Sequence, residues 1–104
     1  MTTVTFFRKG TAYLGFRASG HSGKAPRGED IVCAAISAAV GLAECEITDV
    51  LMLSAEVMVD QENTEVSVLF SEPCETAQPV FEALYLYLTR LAEDYPRFLQ
   101  IMEV

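Results

Sequence analysis

The chain reads as alternating segments separated by two stretches of helical spacing. Residues Val4 to Lys9 are β-rich, Gly10-Thr11 offers a turn, and Tyr13, Leu14, Phe16 and Arg17 resume a strand toward Ser19, which predicts an N-terminal hairpin. From Ser54 the alternation is stricter, with Ala55, Val57 and Val59 on one side and Glu56, Met58 and Asp60 on the other. Gln61-Glu62-Asn63 then predicts a turn, and Glu65 to Phe70 a returning strand. A last alternating stretch sets Phe98, Gln100, Met102 and Val104 opposite Leu99, Ile101 and Glu103.

Between these segments Asp30 is a good N-cap, and Ile31 to Ala43 follows with few polar interruptions, so a buried helix is predicted to end near Cys45 or Glu46. Its alanines and Gly41 make it thin, which predicts close approach of a sheet or a second helix. Ile47 to Leu53 fits helix extension, loop or strand equally well. Pro73 and Pro79 bracket the start of a second helix, with Thr76 as cap and Val80, Phe81, Leu84, Leu88 and Leu91 at helical spacing. Pro96 stops it after about Asp94. The predicted order is ββαββαβ, an α+β fold with a largely antiparallel five-stranded sheet packed with two main helices. Met52, Met58 and Phe70 are expected in its core.

With 104 residues, 51% of them hydrophobic, the chain is expected to form one domain with one core. No apolar run is read as approaching the roughly 20 residues of a membrane span, and Met1 to Thr5 does not open like a signal peptide, so a cytoplasmic protein without a membrane partner is expected. The formal charge of −8 disfavours direct nucleic-acid binding and suits a basic protein partner. Three cysteines cannot all pair, and Cys33 and Cys45 on one helix would stand roughly 18 Å apart. With no Cys-x-x-Cys pair and a single His, neither a metal nor another cofactor is expected.

Candidate chemistry converges on residues 20–37. Gly20 to Glu29 holds too many breakers for a regular element, and this loop joins the only histidine, His21, to Cys33. The backbone N–H groups at a helix start favour a thiolate there and could donate to an oxyanion on an attacked carbonyl. A neighbouring imidazole would complete the minimum apparatus for acyl transfer. Ser37 lies one turn beyond Cys33 on the same helix face. Each residue also has a plainer reading: Cys33 as a small core residue, His21 as a surface residue, Asp30 as a cap, and Ser37 as a hydroxyl bonded to a backbone carbonyl one turn back. Cys45 and Cys74 have no partner histidine and read as structural or incidental.

Gly20-His21, followed after the loop by Asp30-Ile31-Val32-Cys33-Ala34-Ala35-Ile36-Ser37, resembles the linked motifs of the ribosomal-processing cysteine protease (Prp) family of bacteria. The resemblance covers essentially the whole chain, with Ser22 where many members carry Ala. It implies Cys33 as nucleophile, His21 as its base, and supporting roles for Asp30 and Ser37. It further implies a homodimer and removal of an N-terminal segment from a large-subunit ribosomal protein after an apolar, aromatic-ending sequence. A loop hinged at Gly20, Gly23 and Gly28 would move on substrate binding, with His21 and Cys33 too far apart to hydrogen-bond beforehand. Two other classes compete with the protease. One is a noncatalytic acidic module that holds a basic ribosomal protein during ribosome assembly; the other is a thiol redox sensor.

Overall fold

The computed structural model describes residues 1–20 and 29–104. Strands β1 (Thr2–Lys9) and β2 (Ala12–Ser19) precede helix α1 (Glu29–Cys45), which continues into a π-helical turn at Glu46–Val50. Strands β3 (Glu56–Asp60) and β4 (Glu65–Leu69) follow, then a 3-10 turn at Glu75–Ala77, helix α2 (Gln78–Asp94) and strand β5 (Leu99–Glu103). The expected ββαββαβ order and α+β class are the observed ones. The five strands form one sheet in the order β3-β4-β2-β1-β5, antiparallel except where β5 runs parallel to β1.

Strand register explains which face is covered. Val4 pairs with Ala18 and Ile101, Phe6 with Phe16, Phe16 with Val68, and Val66 with Val59, so one parity of every strand points to one side. Both helices pack there: Val32, Ile36, Val40, Ala43 and Ile47 of the first helical stretch join Val80, Phe81, Leu84 and Leu88 of α2 in one core. Phe6, Phe16 and Phe81 are fully buried, and the Phe16 and Phe81 rings meet edge-on at 6.1 Å. Burying each such ring stabilises the fold by roughly 1.5–3 kcal/mol.

Tyr13 has the wrong parity to share this face, yet it is only 3% exposed. A bulge between Phe7 and Arg8 shifts the register so that Arg8 opposes Tyr13, which turns the ring inward beside Phe6 and Phe81. Arg8 then stacks over the Tyr13 ring at 4.0 Å and pairs with Glu103 at 2.7 Å. Gly15, at φ 154°, is required here, because a Cβ would lie 1.9 Å from the Val68 carbonyl oxygen.

Several expectations need correction. The helical stretch Ile31–Val50 is 20 residues long with mean hydropathy 1.7, so by length and composition it could cross a membrane, contrary to the estimate from sequence. The π-helical turn supplies the added length, and the inner face of the stretch is the domain's own core. Helix α1 starts at Glu29, two residues before the expected start at Ile31, so Asp30 lies inside the first turn instead of capping it. Thr76 does not cap α2 either: Ala77 holds that position, Pro79 sits in the first turn, and the Gln78 amide bonds the Cys74 and Tyr13 carbonyls. Met52 and Met58 are 80% and 54% exposed, not core, whereas Phe70 packs against it.

Candidate active site

Cys33, Ile36, Ser37, Val40, Gly41 and Glu44 follow one another at alternating spacings of three residues and one, and α1 presents them on one side. They form one wall of a groove of about 440 Å³. The opposite wall is the helix-covered side of the sheet near the β3–β4 turn, with Ala18, Val59 and Val66 supplying apolar surface. Cys33 stands at the end near the start of β1, and Glu44 marks the other end.

The sulfur has one neighbour that sequence reasoning missed. Thr2 Oγ1 lies 3.8 Å from Cys33 Sγ, and Thr2 is 8% exposed. The available signal was parity, since Thr2 extends the inward row of Val4 and Phe6 and is its polar member. Gly20 also packs against Thr2: a Cβ there would fall 2.6 Å from Thr2 Oγ1 and 2.9 Å from Thr2 Cα. The Gly20 N–H donates to the Thr64 carbonyl at 3.2 Å, tying the end of β2 to the β3–β4 turn.

Because α1 begins at Glu29, Cys33 is its fifth residue and not its third. Its own N–H is therefore taken up in the helix, and the free donors are the four before it. Helical side chains tilt toward the N-terminus, so the sulfur still leans toward that end. Ser37 is exposed on the groove wall, and its hydroxyl makes no hydrogen bond with a described residue. Of the other predicted site residues, Gly20 lines the groove with Cys33, while His21, Gly23 and Gly28 lie outside the described residues, as does the expected His21–Cys33 separation. All three cysteines are free, with Cys45 exposed and Cys74 partly buried.

The β3–β4 turn that closes the groove is held by its own side chains. Asp60 accepts hydrogen bonds from Asn63 Nδ2 at 2.7 Å and from the Asn63 N–H at 3.2 Å, which hold its carboxyl below the usual carboxylate range. Thr64 has φ 52°, an uncommon conformation for a β-branched residue, and it also lines the groove. Among the described residues no three His, Cys, Asp or Glu side chains converge as a metal site.

Fold and site together define an α+β domain with a helix-borne cysteine opening onto an elongated groove. The model of the family described as Cysteine protease Prp matches residues 1–100, and the chain belongs to that family. Among solved structures, the SMU.848 protein of Streptococcus mutans is 28% identical and superposes with a TM-score of 0.85, covering 100% of this chain and 96% of its own. An essential ribosomal processing protease, Prp, from S. aureus in complex with a substrate peptide is 19% identical with a TM-score of 0.83, covering 100% of both chains. The same S. aureus protein with a covalently linked product peptide gives 18% and 0.84, again over 100% of both chains. Among curated proteins no match is found.

Proposed function

We propose that the chain is a cysteine endopeptidase of the cytoplasm that removes an N-terminal extension from a bacterial large-subunit ribosomal protein. All 104 residues act as one protease domain. The observation that carries this reading is that Cys33 and Gly20, the residue before His21, line the same groove in a member of the Prp family. The Cys33 thiolate attacks the scissile carbonyl carbon, forming a C–S bond. Protonated His21 gives its proton to the leaving amine as the C–N bond breaks. Water, deprotonated by His21, then attacks the thioester, releasing the acid and restoring the thiolate. Asp30 contributes negative charge near the helix start, and Ser37 supports the substrate or the histidine from the groove wall. On the amine side, the −8 charge suits a basic ribosomal protein and calls for no contact with RNA.

We further propose that the enzyme is a homodimer. Ile31, Ala34, Ala38 and Leu42 form an exposed stripe along α1, with Ile31 and Leu42 67% and 70% exposed. Beside it a second groove of about 390 Å³ lies between α1 and α2, lined by Leu42 and Tyr87 among others. Light scattering on the purified chain is expected to give the mass of two copies, and Leu42→Glu the mass of one.

The catalytic reading is tested by incubating the extended ribosomal protein with wild-type chain and with Cys33→Ala and His21→Ala variants. Cleavage after the apolar segment by wild type alone is expected. Equal cleavage by Cys33→Ala would refute a Cys33 mechanism. Tight binding of the ribosomal protein without any cleavage would leave the acidic binding module.

A further inference from the structure

The interior of α1 holds one residue that helix formation does not explain. A glycine in a helix interior costs about 1 kcal/mol relative to alanine, so it usually answers a need of backbone or packing. Gly15 and Gly20 answer such needs, since a Cβ at either would collide with neighbouring backbone. Gly41 does not: a Cβ there would meet nothing within 4 Å. The close approach expected of this position from sequence is absent, and Gly41 is exposed on the wall of the groove that holds Cys33.

Val59 and Val66 give the groove apolar surface from the sheet, with Val59 55% exposed, while Ser37 and Glu44 lie about one turn to either side of Gly41 on the same helix face. Gly41 is eight positions after Cys33, a rise of about 12 Å along the axis. An extended peptide advances about 3.3 Å per residue, so this span is between three and four steps beyond the residue whose carbonyl meets the sulfur, which reaches its fourth or fifth residue.

We propose that Gly41 is a specificity-determining residue: by leaving its side of the groove open, it admits a bulky aliphatic side chain at the fourth or fifth residue before the scissile bond. The proposal rests on the protease reading above, in which the apolar part of the substrate precedes the cut and its acyl carbon meets Cys33. The occupant is thus an extended peptide running from Cys33 along α1 toward Glu44, in continuity with the reacting sulfur.

The test uses five-residue peptidyl chloromethyl ketones on an all-Ala frame, with one Leu moved from the first to the fifth residue before the reactive group. The thiolate displaces chloride, so a C–S bond forms as the C–Cl bond breaks, and intact mass gives the rate at Cys33. Leu at the fourth or fifth residue is expected to raise the rate about tenfold over the all-Ala probe. Gly41→Leu is expected to erase that preference, and thermal melting shows whether the variant is folded. If it is not, Gly41→Ala, which favours the helix, is expected to reduce the preference at an unchanged or higher melting temperature. Rates independent of Leu position, a preference that survives in the folded Gly41→Leu variant or is unaltered in Gly41→Ala, or no reaction at Cys33 would overturn the proposal. Failure of the protease reading is distinguishable. In that case the Leu preference persists at Cys33 while the extended ribosomal protein stays uncut, whereas cleavage without the preference overturns the Gly41 assignment alone.

Discussion

Gly20, Thr2 and Cys33 touch in series, so a change at the first should be felt at the third. A Cβ at Gly20 would press on the Thr2 hydroxyl and on the Thr2 backbone, and a backbone strand yields less readily than a side-chain tip. Gly20→Ala is therefore expected to destabilise by about 1–3 kcal/mol and to alter the alkylation rate of Cys33. Urea titration and iodoacetamide kinetics measure the two effects. An unchanged alkylation rate with lowered stability would mean that Thr2 packs at the site without positioning the sulfur. Gly15 offers the comparison far from the sulfur. Its Cβ would lie 1.9 Å from a carbonyl oxygen of the central ladder, so Gly15→Ala should cost about 3 kcal/mol in urea unfolding.

The β3–β4 hairpin was legible from its alternation because one face is helix-covered and the other is open, so valines recur at every second position opposite a mainly polar row that includes Met58. The same alternation already set Met58 with Glu56 and Asp60. Its hydrophobic character suggested core, but parity decided its exposure. Less local features were not legible. The bulge that turns Tyr13 inward depends on pairing with β1, and the far wall of the groove depends on β4 lying beside β2, an adjacency that no short window of sequence contains. Cys33 was legible as a candidate from its chemistry, whereas Thr2 and Gly41 needed the fold, and His21 lies outside the described residues.

The turn of this hairpin also carries an acid-sensitive contact. The Asp60 carboxyl is held low by the Asn63 amide first and the Asn63 N–H second, so its contribution is present above the ordinary carboxylate range and is lost as pH falls through and below about 4. Melting temperatures between pH 2 and 7 should fall less steeply for Asp60→Asn than for wild type. At the other end of the turn, Thr64→Asn places a residue tolerant of positive φ where a β-branched one stands. A gain of about 0.5–1 kcal/mol is expected in urea unfolding, with the Gly20 hydrogen bond to the residue-64 carbonyl retained.

At the scale of the molecule, the helix-covered side of the sheet has a groove with the cysteine near one edge and a polar lock at the Arg8 end. In that lock the Tyr13 hydroxyl donates to Glu82 at 2.9 Å and accepts from Arg8 at 2.9 Å. Burial first, and the bond to Glu82 second, push the Tyr13 phenol up to about 12. A raised phenol contributes stability that is present below the unfolded value near 10 and lost as pH climbs toward 12. Alkaline unfolding followed by tyrosinate absorbance should thus set in within that window, and Tyr13→Phe should flatten the slope.

In the proposed reaction, peptide cleavage proceeds through a covalent bond at Cys33 in this groove. Acid-quenching the chain during turnover of the extended ribosomal-protein segment, then mapping the adduct by peptide mass, detects that bond. A thioester of the apolar N-terminal fragment is expected on Cys33 and on neither Cys45 nor Cys74. Cleavage that proceeds equally in Cys33→Ala, or an adduct confined to another cysteine, would contradict it.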